Sequence, residues 1–80
     1  MTTERSRAIH ELDATVRVGK RGVEAVADEL VNQLEGQQFV KAKFLRAART
    51  SDTEELAADL AEQAGAEVVD VRGHTAVFER

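Results

Sequence analysis

The sequence predicts an α/β fold: a small mixed four-stranded sheet with about three helices, in the order α-β-α-β-α-β-β. Three observations predict it. Short runs of extended character at 15–18, 39–45, 67–71 and 75–78 are separated by segments with helical apolar spacing. Five glycines and no proline punctuate the chain, and the glycines fall between these runs. Strands that alternate with helices require a mixed or parallel sheet with the helices packed on it.

Each element has its own justification. From Thr3 to Leu12, Ala8, Ile9 and Leu12 form one stripe, with Thr2 or Thr3 as a cap. Thr15-Val16-Arg17-Val18 alternates, so Val16 and Val18 point inward and Arg17 outward. Gly19 to Gly22 is a tight turn. Val23, Val26, Ala27, Leu30 and Leu34 follow the spacing of an amphipathic helix, and Gly36 stands where its C-terminus would take a left-handed residue. In the strand Phe39–Leu45, Val40, Ala42 and Phe44 share one face, and Phe39, Lys41, Lys43 and Leu45 share the other. Ser51 and Glu54 have capping-box spacing. The helix they open places Leu56, Ala57, Leu60, Ala61 and Ala64 on one face and ends at Gly65. Two short strands, 67–71 and 75–78, meet at a hairpin through Arg72-Gly73-His74.

Eighty residues make one domain, 1–80, with a modest core. A chain of this size buries roughly 60% of its unfolded surface, which disfavours a deep catalytic cleft. The absence of cysteine removes disulfides and thiolate metal sites. No apolar run reaches the roughly 18 residues of a membrane span, and none near Met1 is long enough for a signal peptide. A soluble cytoplasmic monomer without membrane contact is the expectation.

The net charge of −4 conceals a polarised chain. Residues 15–49 hold seven Lys or Arg against four acids, a balance of +3. Residues 50–80 hold two bases against eight acids, or −6, and residues 1–14 contribute −1.

The basic segment carries the two signals that point to function. Gly19-Lys20-Arg21-Gly22 joins a strand to a helix. Glycines let a backbone approach another molecule closely, and a helix start with two adjacent cations favours an anion. A GxxG loop can clamp a nucleic-acid backbone in this way. Alone the motif is weak, since basic glycine turns occur in ordinary α/β proteins. The second signal is Lys41, Lys43, Arg46 and Arg49, four bases within nine residues that contain no acid. Such clustering suits phosphate contact. It equally suits an edge strand guarded by lysines. If the helices cover the apolar face of the sheet, Arg17, Lys41 and Lys43 stand together on its open face or rim.

Catalytic readings find no support. GxxxxGK[ST] and GxGxxG are absent. His10 and His74 lack metal-ligand spacing, and neither Ser6 nor Ser51 sits in a nucleophile elbow. Asp52, Glu54, Glu55, Asp59 and Glu62 read as the solvated face of a helix. Phe39 could stack on a base beside Lys41, although a core or rim position is the better reading. No catalytic residue, metal or cofactor is expected.

Val16-Arg17-Val18-Gly19-Lys20-Arg21-Gly22-Val23, followed by a helix and Phe39-Val40-Lys41-Ala42-Lys43-Phe44, resembles the CRM domain (chloroplast RNA splicing and ribosome maturation) in its stand-alone, YhbY-like RNA-binding form. Gly65 to Phe78 is similar to the last two strands of that family. The resemblance covers residues 5–80. It implies a fold similar to the C-terminal domain of translation initiation factor 3. It also implies RNA binding at Gly19, Lys20, Arg21 and Gly22, extended by Lys41 and Lys43 and, on the charge pattern, by Arg17 and Arg46. The implied partner is ribosomal RNA or a precursor of the large ribosomal subunit. A splicing- or tRNA-associated role, or docking on an acidic protein surface, is the alternative. Two features depart from the family. Val23-Glu24 stands where relatives carry a Thr or Ser cap, and the chain is acidic where relatives are basic. High-salt adaptation would account for the acidity, most of which falls in the last helix and beyond, away from the expected RNA face.

Overall fold

The computed structural model describes residues 9, 11–49 and 51–80. Its strands are β1 (Ala14–Val18), β2 (Phe39–Phe44), β3 (Glu67–Arg72) and β4 (Thr75–Glu79). The α-helices described in full are α1 (Ala27–Gly36) and α2 (Thr53–Ala64), and single 3₁₀ turns lie at Val23–Val26 and Arg46–Ala48. The expected helix over 3–12 falls almost wholly outside the described residues, of which Ile9 and Glu11 are helical.

The sheet order is β1-β2-β4-β3. β1 and β2 run parallel, so the chain must cross over between them, and the 3₁₀ turn and α1 make that crossover. β4 is antiparallel to both of its neighbours. Gly73 and His74 close the β3–β4 hairpin, with Gly73 at φ 54° in the first turn position.

One face of the sheet carries the core. The register places Val16 beside Ala42, Val18 beside Phe44, Val40 beside Phe78 and Ala42 beside Ala76. Leu30 and Leu34 of α1, and Ala57, Leu60 and Ala61 of α2, close over these residues. Both helical stripes follow the apolar spacing of the sequence. Phe44 and Phe78 are the largest fully buried side chains.

The opposite face is partly covered. Ile9, Phe39 and Val77 form a second, smaller buried cluster, with Leu12 and Val69 against it. Phe39 is therefore a core residue of this second layer, as the better of its two readings expects.

Three local expectations are corrected. The helix expected to begin at Val23 starts with one 3₁₀ turn, and regular α-helix begins at Ala27; Val26, at φ −114° and ψ 0°, separates the two. Gly36 is not left-handed, because the chain passes from α1 directly into an extended Gln37 at φ −136° and ψ 144°. The Ser51–Glu54 capping box does not form. Asp52 is the N-cap, which puts Glu54 one position too early to reach back. Gly65 does end α2 in the left-handed region, with Ala66 N–H on the Ala61 carbonyl at 2.8 Å.

Candidate nucleic-acid interface

The Gly19–Gly22 loop leaves the end of β1 as a four-residue turn, and Gly22 N–H donates to the Gly19 carbonyl at 2.9 Å. The two glycines differ in what they do. Gly22 sits at φ 80° and ψ −174°, a conformation close to glycine-only. Gly19 has no positive φ, and a Cβ there would meet only Leu45 Cδ1, at 4.0 Å. Lys20 and Arg21, at the tip, are exposed.

The expected anion site at a helix start is weaker than the sequence suggests. The Gly22 N–H is already used, and the element that follows is a single turn with Glu24 in it. A full helix dipole does not point at this loop. The charge offered to an anion is that of the two side chains.

An open groove of about 310 Å³ lies beside the loop, lined by Lys20, Arg21, Val23, Ala48, Leu56 and Asp59, with Glu24 at its edge. Two carboxylates thus stand on its helical side. The expectation that the acids of the last helix lie away from the basic face is corrected at Asp59.

On the sheet side the arrangement is different. Arg17 and Lys43 are register partners on adjacent strands, and both are exposed. They stand one residue before Val18 and Phe44, where β1 and β2 reach the loop end of the sheet. Leu45 N–H donates to the Val18 carbonyl at 2.8 Å, which fixes the chain beside the loop. Arg46 is exposed in the next turn. Leu45, at 37% exposure, is an exposed large apolar side chain against Gly19.

Lys41 is not gathered with them as expected. It is half-buried, pairs in register with Ala14, and donates from Nζ to the Leu12 carbonyl at 3.3 Å. The segment that buries Phe39 also covers this lysine. Arg49 is half-buried as well. No sequence signal marks Arg72 and Thr75, whose strands reach this face only through the insertion of β4 between β2 and β3.

Among the described residues no group of three His, Asp or Glu is placed to hold a metal ion. No described helix is long and apolar enough to cross a membrane. His74 is exposed in the β3–β4 turn, and His10 lies outside the described residues.

The model of the CRS1 / YhbY (CRM) domain family matches residues 2–80. The chain belongs to this family. A probable RNA-binding protein of Methanocaldococcus jannaschii is 42% identical to the CRM domain over 66 residues. That match takes in 81% of this chain but 49% of the relative, so the chain spans about half the length of that protein. The solution structure of a Staphylococcus aureus protein proposed to bind RNA superimposes with a TM-score of 0.75 at 29% identity. The superposition covers 100% of this chain and 88% of that one.

Proposed function

We propose that this CRM domain binds RNA as a single module, gripping the phosphate backbone with Lys20 and Arg21 on the loop and Arg17, Lys43 and Arg46 beside it. The observation that carries the reading is the Arg17–Lys43 register pair next to the loop. Two exposed cations on adjacent strands, whose backbones run about 5 Å apart, form a local positive surface that the acidic composition hides. The RNA-binding descriptions of the two relatives support the same class of ligand.

Binding of this kind is led by the backbone. No described aromatic is exposed for stacking, since Phe39, Phe44 and Phe78 are all buried. The domain therefore lacks the aromatic platform of single-base readers. Phosphate contacts position a protein without reading sequence, so the target is selected by shape and accessibility. Ribosomal RNA in an assembling large subunit, in the cytoplasm, is the target we favour.

Ultraviolet crosslinking in cells, with mapping of the crosslinked peptide and RNA, tests both halves of the reading. Crosslinks at Gly19–Gly22 or Lys43–Arg46 to large-subunit ribosomal RNA are expected. Crosslinks confined to the outer face of α2, or to no RNA, would sink it.

A further inference from the structure

We infer that the RNA-binding surface does not end at Lys43 but crosses the whole sheet as one row, Arg17–Lys43–Thr75–Arg72, which takes the phosphodiester backbone of a single RNA strand. The inference rests on the RNA-binding reading above and extends its footprint to the β3–β4 hairpin.

The register defines the row. Arg17 pairs with Lys43, Lys43 with Thr75, and Thr75 with Arg72. Residues paired in register share a face, so these four side chains stand on the face opposite the main core. Arg17, Lys43 and Arg72 are exposed and Thr75 is half-buried. Three strand spacings of about 4.8 Å give a line of roughly 14 Å from edge to edge. The line begins at β1, whose end leads into the Lys20–Arg21 loop.

The surrounding charges fix its direction. On the helical side of the loop, Glu24 and Asp59 oppose an anion. At the far end of the same sheet face, Phe39, Glu79 and Glu67 are register partners, and two of these three are acids. A phosphate chain leaving the loop meets carboxylates in both of those directions and cations along the row.

Arg72 is the residue this adds. Its Nε lies 3.5 Å from Asp70 Oδ2, and its side chain is 66% exposed. An ion pair so exposed contributes little to stability. The fork of the guanidinium suits a phosphate better than an ammonium does. Asp70 then competes with RNA for Arg72 and tempers the affinity. The Thr75 hydroxyl donates to the Arg72 carbonyl at 2.8 Å, which holds the strand end that carries the arginine.

The test uses a fluorescent oligouridylate of about 12 nucleotides, titrated at several salt concentrations. Each phosphate contact on a single strand adds about 0.7 to the slope of log K against log salt. Arg72→Ala is expected to lower that slope by about 0.7 and Arg72→Lys to preserve most of it. Asp70→Asn is expected to tighten binding. Arg72→Gln gives the same readout if the alanine variant fails to unfold cooperatively. A slope unchanged in Arg72→Ala, with the slope lost in Lys20→Ala/Arg21→Ala, ends the row at Lys43 and overturns the inference alone. No effect in either variant overturns the RNA-binding reading and the inference with it. Arg72 dependence seen with duplex RNA only would contradict the single-strand assignment.

Discussion

Gly22 is the residue on which the loop's shape turns. With φ 80° and ψ −174°, an alanine there is forced into a region that costs about 1–3 kcal/mol. Gly22→Ala should lower the thermal midpoint by at least about 4 °C, since each 1 kcal/mol moves a domain of this size by roughly 4–8 °C. Gly19 has an ordinary φ, and a Cβ there makes only an ordinary contact with Leu45 Cδ1, so Gly19→Ala should stay within about 0.5 kcal/mol of the parent in the same melt. A fall in RNA affinity for Gly19→Ala at unchanged stability would show that the RNA backbone approaches this Cα closely. The spacing of the two glycines is legible in the sequence, but their different jobs are not. A glycine letter carries no φ, and only the path from β1 into the 3₁₀ turn assigns the strained conformation to Gly22.

At the scale of elements, the period-two pattern of β2 and the helical stripes of α1 and α2 suffice to name the main core. Phe44 pairs with Val18 and is 1% exposed, and Phe78 is fully buried beside Val40. Phe44→Ala should cost about 3–5 kcal/mol. A domain of 80 residues has about 4–12 kcal/mol in total, so chemical denaturation should find this variant unfolded or close to it. Gly36→Ala should act in the opposite sense. Gly36 is helical, exposed and without any Cβ conflict, so alanine should stabilise by about 0.5–1 kcal/mol. Strand order is what the sequence conceals. Period two tells which face a residue takes but not which strand lies beside it. The insertion of β4 between β2 and β3 brings Arg72 into line with Lys43, and no local pattern marks it. The second apolar layer is hidden for a similar reason. Phe39 and Val77 are distant in sequence, and the same layer leaves Lys41 half-buried among the cations expected to be exposed.

Across the whole molecule, the net charge of −4 and the positive loop end of the sheet oppose each other at different ranges. The net charge repels RNA at distances beyond the contacts, and salt screens that repulsion with a Debye length of about 10 Å at 0.1 M. The cations act at contact. Neutralising exposed acids of α2, as in Glu55→Gln/Glu62→Gln, should therefore tighten RNA binding at low salt and change it little near 0.5 M. The polarised distribution of charge along the chain is legible from residue order alone. The positions of Asp59 beside the loop and Asp70 beside Arg72 are not, because α2 and β3 reach the basic end only through the tertiary fold. These two carboxylates narrow the surface open to phosphate to the sheet side of the loop. The most direct test of that surface is the salt dependence of affinity for an RNA strand, compared between the parent and Lys20→Ala/Arg21→Ala. The parent should show a steep fall of log K with log salt, and the variant a slope shallower by about 1.4 if each cation holds one phosphate. Equal slopes in the two proteins would contradict a phosphate grip at this loop.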